Sequence, residues 1–234
     1  VKLVGFMPGL SSPGGPSHQA VDDVALMRSL PNMTVVDVAD ATEVRQVVPL
    51  LAAHRGPCYL RLKRGEVPLL FGEPHRLELG RAQWLRRGGE VAVLASGMLV
   101  ATAVRAAQVL EPAGLTVSVL NVPTIKPLDA EAVREAAATS RAVVTAENHS
   151  VVGGLGSAVA EVLAEAGAAT PLRRVGVQDT FAQASSAPWL FRRHGLDVGS
   201  LVAATWSAAG RSGEPPGVAD GQDVAVEPGR YSPV

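Results

Sequence analysis

Short apolar runs and alanine-rich segments alternate regularly through the second half of the chain, and this alternation limits the fold more than any other feature. The apolar runs have the length of buried strands, whereas the segments between them have apolar residues at helical spacing. Strict alternation of the two predicts parallel strands joined by right-handed crossovers, which is an α/β fold. The predicted strands are residues 90–95, 115–120, 142–146 and 172–177, and the predicted helices are 96–110, 129–138, 153–166 and 200–208.

The first 64 residues show the same pattern in a shorter form, with a long loop at residues 6–20 and Asp40 or Thr42 as the cap of the second helix. Because the first predicted strand starts at residue 1, we expect a further segment of this domain upstream of Val1. The predicted strands are 1–5, 33–38 and 58–62, and the predicted helices are 21–30 and 41–54.

Two stretches break the alternation. Residues 65–89 are rich in Pro and Gly and are predicted to be a linker, and residues 210–234 have the composition of a disordered tail. The chain is therefore expected to contain two α/β domains, at residues 1–64 and 90–209.

The composition excludes several classes of protein. Of the 234 residues, 47% are hydrophobic, which suits a sizeable core, and the net charge of −1 gives no sign of a nucleic-acid partner. Cys58 is the only cysteine, so neither an intrachain disulfide nor a cysteine-rich zinc site can form. No apolar run approaches the roughly 18–20 residues that span a bilayer. We therefore expect a cytoplasmic protein that does not enter membranes.

His18 is the first candidate for chemistry. It ends a segment of Gly, Pro and Ser that cannot be the interior of a helix or strand, and a predicted helix follows it. An imidazole there could serve as a proton donor or acceptor, the role that histidine has most often in catalysis. It could equally be a turn residue that caps the helix.

Arg64 and the segment 147–157 are further candidates. Arg64 follows a predicted strand, where an arginine suits a phosphate, although it could also belong to a basic surface cluster with Arg61 and Lys63. The segment 147–157 begins with Glu-Asn-His-Ser and opens a helix through a glycine-rich turn, and we interpret its glycines as packing residues rather than an anion site. We interpret His54, His75 and His194 as surface residues.

Six segments, in order, resemble the carboxyl-terminal half of transketolases, and most of all the carboxyl-terminal subunit of two-chain bacterial transketolases. The resemblance implies part of a pyrimidine-binding thiamine-enzyme domain, then the family's carboxyl-terminal α/β domain with a mostly parallel sheet and one antiparallel edge strand. The segments are GGPSHQAVDDVALMRSLPNMTV, ADATEV, GPCYLRLKRGEVP, NVPTIKPLDAEAV, AENHSVVGGLGSAVAEVLAE and RRVGVQDTF.

The resemblance implies a thiamine pyrophosphate-dependent transferase that cleaves a ketose between C2 and C3 and passes a two-carbon ketol unit to an aldehyde or another carbonyl acceptor. In the family, the residue that matches His18 assists proton transfer, and the residue that matches Arg64 binds the substrate phosphate. The domain at 90–209 resembles one that supports dimerisation and carries no catalytic residue.

Two substrate-binding positions depart from the family. Met7 stands where the family has a histidine, and Gly14 stands where it has an aspartate that reads sugar hydroxyls. A pocket that lacks both groups is less polar, so we expect a ketose phosphate donor but an acceptor that is larger or more apolar than a sugar phosphate.

The family's cofactor-binding residues match no position in this chain. Thiamine pyrophosphate and Mg²⁺ are therefore expected to need the upstream segment and a partner, an amino-terminal transketolase subunit with the diphosphate-binding domain. We expect a heterotetramer that is active only when both chains are present.

Three alternatives remain. Two are related thiamine enzymes, a deoxyxylulose phosphate synthase and the β subunit of a 2-oxo acid dehydrogenase, but the segments DDVALMRSLPN and TIKPLD favour a split transketolase. The third is a non-catalytic structural subunit, against which the presence of His18 and Arg64 argues.

Overall fold

A computed structural model describes residues 1–63, 67–72 and 75–218 of the chain. Over these ranges, nine strands form one sheet of four strands and one of five, and seven α-helices pack around them. The strands are β1 (Lys2–Phe6), β2 (Thr34–Asp37), β3 (Cys58–Leu62), β4 (Gln83–Arg86), β5 (Val91–Ala95), β6 (Val117–Asn121), β7 (Thr124–Lys126), β8 (Ala142–Ser150) and β9 (Leu172–Val177). The helices are α1 (Asp23–Ser29), α2 (Ala41–Ala53), α3 (Leu99–Leu110), α4 (Ala130–Thr139), α5 (Leu155–Glu165), α6 (Ala187–Arg193) and α7 (Val198–Ala208).

The first sheet has the order β1-β3-β2-β7. Strands β1, β3 and β2 are parallel, so their carboxyl ends meet at one edge. Helix α2 covers one face and begins where the side chain of Asp40 accepts the N–H of Glu43 at 3.0 Å, as an N-cap should. Asp40, one of the two expected caps, is thus the residue that caps the helix.

The second sheet has the order β4-β6-β5-β8-β9. Strands β6, β5, β8 and β9 are parallel, and β4 is an antiparallel edge strand, as the resemblance implied. Helices α3 and α7 cover one face and α4 and α5 the other, and the aliphatic side chains between these layers form the main cores. The predicted α/β fold with a mostly parallel second sheet is confirmed.

The two sheets are physically tied. Strand β7 lies beyond the second sheet in sequence but pairs antiparallel with β2 of the first sheet. In addition, the Asn121 side chain at the end of β6 donates a hydrogen bond of 2.7 Å to Glu43 of α2. Elements on either side of residues 65–89 therefore pack as one body.

Several elements differ from the sequence-based expectations. Strand β4 lies inside the expected linker, and β7 and α6 were not predicted. Strand β8 continues to Ser150, four residues past the predicted end at 146. The expected tail at 210–234 lies outside the described residues from residue 219 onward.

The expectation that His75 is a surface residue is wrong. His75 is 1% exposed, and its ring stacks on Phe71 with centroids 3.9 Å apart. Its Nε2 lies 3.4 Å from an oxygen of Glu43, but neither ring nitrogen forms a hydrogen bond with the described residues.

None of the helices in the described part of the chain is both long enough and apolar enough to cross a bilayer.

Candidate functional site

The candidate site lies at the carboxyl edge of the first sheet. The loop after β1 starts at Met7, whose N–H donates to the carbonyl of Leu62 at the end of β3, at 3.2 Å. Ligands of parallel α/β sheets gather at such an edge, because the loops that follow the strands converge there. Arg64, the predicted phosphate ligand, lies outside the described residues.

The loop between β1 and α1 folds into two 3₁₀ turns, Gly9–Ser11 and Pro16–His18. The backbone N–H of His18 donates to the carbonyl of Gly15 at 2.9 Å, which closes the second turn. The side chain of His18 is exposed, and its Nδ1 lies 2.9 Å from Oγ of Ser17. The imidazole is thus presented to solvent from an ordered turn, and its catalytic role stays a prediction.

Gly14 lies directly against His18. A Cβ at position 14 would lie 2.8 Å from Cβ and 2.9 Å from Cγ of His18, which is closer than unbonded carbon atoms approach. Any side chain at position 14 must therefore displace the imidazole. Met7 has a left-handed φ of 61°, which is uncommon for a residue other than glycine and characteristic of functional loops.

A buried ionic cluster supports this edge from inside. Arg61 of β3 is 1% exposed; its Nε and Nη2 donate to the two oxygens of Asp23 at 2.8 and 3.1 Å, and its Nη1 donates to Asp37 at 3.0 Å. Tyr59 donates its hydroxyl to Asp23 at 2.6 Å, and Lys63 lies 3.4 Å from the other oxygen of Asp37. The reading of Arg61 and Lys63 as a basic surface cluster is wrong, because two carboxylates compensate their charges inside the protein.

The cluster favours the charged forms of Asp37 and Arg61. Burial alone would raise the pKa of the Asp37 carboxyl, but Lys63 and Arg61 reverse this and keep the pKa below its ordinary value. Burial alone would lower the pKa of Arg61, and Asp37 and Asp23 raise it above the usual range instead. Burial lowers the pKa of Lys63 in spite of Asp37. A network of this kind fixes the geometry of its side chains, since the loss of one charged member would leave a buried charge without its partner.

Sequence reasoning missed this cluster, although two signals were available. Arg61 and Tyr59 are two apart on β3 and so share a face, and Asp37 ends the neighbouring strand. Carboxylates at strand ends beside an inward-facing arginine indicate a buried pair rather than a surface patch.

The glycines of the segment 147–157 serve close packing, as the sequence analysis interpreted them. Both oxygens of Glu147 accept backbone N–H groups at the start of α5, from Leu155 at 2.6 Å and Gly156 at 2.8 Å. These groups are the ones that an anion at the helix start would need. A Cβ on Gly154 would overlap Glu147, so the glycine permits this close approach. Burial raises the pKa of Glu147 to about 7.

A metal-bound diphosphate needs oxygen ligands gathered around the metal ion. Over residues 1–63, 67–72 and 75–218, no three side chains of His, Cys, Asp or Glu gather as metal ligands.

Comparison with known proteins agrees with this architecture. The family model "Transketolase, pyrimidine binding domain" matches residues 2–68, and "Transketolase, C-terminal domain" matches residues 80–201. A transketolase family protein of Sinorhizobium fredii, y4mN, is 46% identical over 207 residues, which cover 87% of this chain and 60% of that protein. A 6-deoxy-6-sulfo-D-fructose transketolase subunit of a Clostridium species is 44% identical over 205 residues, covering 87% of this chain and 63% of that subunit.

Two further comparisons bear on the alternatives. A solved structure described as a split-gene transketolase, inactive β4 tetramer, superposes with a TM-score of 0.83 at 43% identity, covering 90% of this chain and 67% of that one. The 1-deoxy-D-xylulose-5-phosphate synthase of Thermomicrobium roseum is 41% identical over 201 residues, which cover 84% of this chain and 32% of that enzyme. The chain spans about three fifths of the length of the first two relatives. Its two matched domains and its likeness to split transketolases show that the chain belongs to the transketolase family.

Proposed function

We propose that this chain is a subunit of a thiamine pyrophosphate-dependent transketolase, which moves a two-carbon ketol unit from an anionic ketose to an aldehyde or another carbonyl acceptor. The observation that carries the proposal is the ordered loop that starts beside the end of β3, at the carboxyl edge of the first sheet, and presents the exposed His18. Relatives named as transketolase subunits support the assignment.

His18 acts in this proposal as the group that moves a proton during ketol transfer. Ser17 bonds Nδ1 of the ring, so Nε2 is the nitrogen that we assign to the substrate oxygen. A positioned acid or base of this kind accelerates a reaction about 10²- to 10⁴-fold. Arg64 binds the anionic end of the ketose, for which the planar guanidinium suits a phosphate or a sulfonate.

Met7 and Gly14 determine the acceptor in this proposal. Gly14 offers only backbone beside His18, and any side chain at this position would displace the imidazole. Met7 provides a flexible thioether in place of a polar ring. An acceptor with fewer hydroxyls than a sugar phosphate fits a pocket lined by Met7 and Gly14 better, since it leaves no hydroxyl without a hydrogen-bond partner.

The assembly belongs to the proposal as well. We assign thiamine pyrophosphate and Mg²⁺ to an amino-terminal subunit that joins this chain in a heterotetramer, and the complex to the cytoplasm. Val4 and Phe6 on the edge strand β1 are 57% and 64% exposed, an apolar edge that we assign to the expected upstream segment or to the partner subunit.

The test uses the complex of this chain with an amino-terminal transketolase subunit, supplied with thiamine pyrophosphate and Mg²⁺. Ketol transfer is measured with fructose 6-phosphate and with 6-deoxy-6-sulfofructose as donors, and with a sugar phosphate and an apolar aldehyde as acceptors. We expect turnover with an anionic ketose, dependence on both chains and preference for the apolar aldehyde. Preference for the sugar phosphate would refute the assignment of Met7 and Gly14.

A rival reading has support from the similarity to deoxyxylulose phosphate synthase. The same complex is therefore tested with pyruvate as donor. Turnover with pyruvate in place of a ketose would identify the rival reaction, and no turnover with either donor would favour a structural subunit.

A further inference from the structure

We propose that Asn148, a residue of the second sheet, is a positioning residue that holds the catalytic loop, residues 7–22 between β1 and α1, and thereby sets the place of His18. This inference rests on the proposed function, since it assigns to Asn148 an effect on the reaction through His18. It gives the second domain a part in catalysis beyond dimerisation, although none of its residues needs to touch the substrate.

Asn148 binds the start of the loop directly. It lies on β8 and is 2% exposed. Its side-chain Oδ1 accepts the N–H of Leu10 at 2.8 Å, and its Nδ2 lies 3.4 Å from the carbonyl of Pro8 as a donor. Both bonds cross 138 or more residues of sequence, so the second sheet rather than the loop's own neighbourhood fixes this turn.

Gly9 makes this close approach possible. Its φ of +60° is left-handed, and a Cβ there would overlap both the backbone carbonyl and the side chain of Asn148. Only glycine combines this conformation with this contact at little cost. The backbone of the loop is therefore packed against Asn148 without an intervening side chain.

The end of the loop is fastened to the same point. The backbone carbonyl of Asn148 accepts a bond of 3.1 Å from Nη2 of Arg61, and the same nitrogen donates to Asp23 at 3.1 Å. Asp23 is the first residue of α1, directly after the loop. Asn148 and Arg61 thus clamp both ends of the segment that carries His18.

Bonds within the loop transmit this restraint. The N–H of Gly9 donates to the carbonyl of Ala20 at 2.7 Å, and the buried side chain of Gln19 donates to the carbonyl of Ser12 at 2.7 Å. His18 lies inside this closed segment. A shift at residues 8–10 therefore moves the turn of His18, and a misplacement of about 1 Å can lower a rate by about 10²-fold.

The test compares Asn148→Ala with Asn121→Ala in the complex of both subunits. Asn121 is a matched control, because it is equally buried and its side chain also links the second sheet to the first domain, through Glu43. Two quantities are measured, namely hydrogen exchange of the peptide that spans residues 7–20, and kcat and KM for the ketose donor.

For Asn148→Ala we expect exchange of the loop about 10-fold faster or more, and kcat about 10- to 100-fold lower with little change in KM. Asn121→Ala is expected to leave both loop exchange and kcat within about 3-fold of the wild type. If Asn148→Ala does not fold, Asn148→Ser replaces it, since its hydroxyl is one atom too short to reach Leu10.

Equal loop exchange in the two variants, or an unchanged kcat in the Asn148 variant, would overturn the proposal. Hydrogen exchange does not depend on activity. If the wild-type complex has no ketol-transfer activity, the proposed function fails, while the exchange data still show whether Asn148 holds the loop.

Discussion

Removal of the Arg61 charge should destabilise the fold far more than removal of an exposed arginine. In Arg61→Met, Asp23 and Asp37 remain buried without their main partner, and four hydrogen bonds from the guanidinium are lost. Breaking a buried pair from one side costs about 3–5 kcal/mol, because Asp23 then loses its arginine partner and Asp37 retains Lys63 as its one cationic partner among the described residues. We therefore expect a loss of about that size in the free energy of unfolding.

Arg141→Met is the matched control. Arg141 is 59% exposed and lies 3.7 Å from Glu90, a geometry in which an ion pair contributes less than about 1 kcal/mol. Arg61→Lys gives a third point, since it keeps the charge but cannot form the two-pronged bond to Asp23. The loss of unfolding free energy in Arg61→Lys should fall between the losses in Arg61→Met and Arg141→Met.

The assay is urea unfolding of the full chain, followed by tryptophan fluorescence and by circular dichroism. The comparison is valid if the denaturant slope m is equal among the variants, because the midpoint then reports stability alone. A loss for Arg61→Met no larger than that for Arg141→Met would refute the reasoning and would mean that water reaches the cluster.

Two other predictions concern backbone geometry and pH. Gly9→Ala should lower the free energy of unfolding by well above the roughly 1–2 kcal/mol that a left-handed alanine costs, because its Cβ would overlap Asn148. Gly114→Ala is the control: Gly114 has a φ of +76° and open space around it, so its replacement should cost only that backbone strain. Equal losses of stability in urea unfolding would contradict this prediction. As the pH rises from 4.5 to 8, the unfolding free energy of Glu147→Gln should increase by about 3 kcal/mol relative to that of the wild type. The folded-state pKa of Glu147 is raised to about 7 from 4.5, so the wild-type stabilisation is complete below pH 4.5 and is lost as the pH rises through 7; a difference in unfolding free energy that stays constant over this range would contradict it.

The regular elements followed from local pattern. The strands β1, β2, β3, β5 and β6 are mostly apolar runs, and the sequence predicted their bounds and those of β9 within about two residues. The sequence did not predict β7, because this strand has three residues and exists only through its pairing with β2. It did not predict β4 either, because that strand is polar and lies in a stretch rich in Pro and Gly. Such elements depend on distant partners rather than on periodicity.

The candidate site was predictable only in part. His18 could be found because its loop is locally unusual in composition. The burial of Arg61 was harder to find, since its partners Asp23 and Asp37 lie 38 and 24 residues away and only its place on β3 and that of Asp37 at a strand end indicated it. The contact of Asn148 with Leu10 spans 138 residues, so neither residue alone carries a sign of it.

Turnover with and without the His18 imidazole decides whether the loop is catalytic. In the complex of both subunits, His18→Asn should lower kcat for ketol transfer about 10²- to 10⁴-fold. His54→Asn makes the same replacement after α2, beside Thr34 at the opposite, amino edge of the sheet, and should leave kcat within about 2-fold of the wild type. A kcat for His18→Asn equal to that of His54→Asn would contradict the assignment of the catalytic loop.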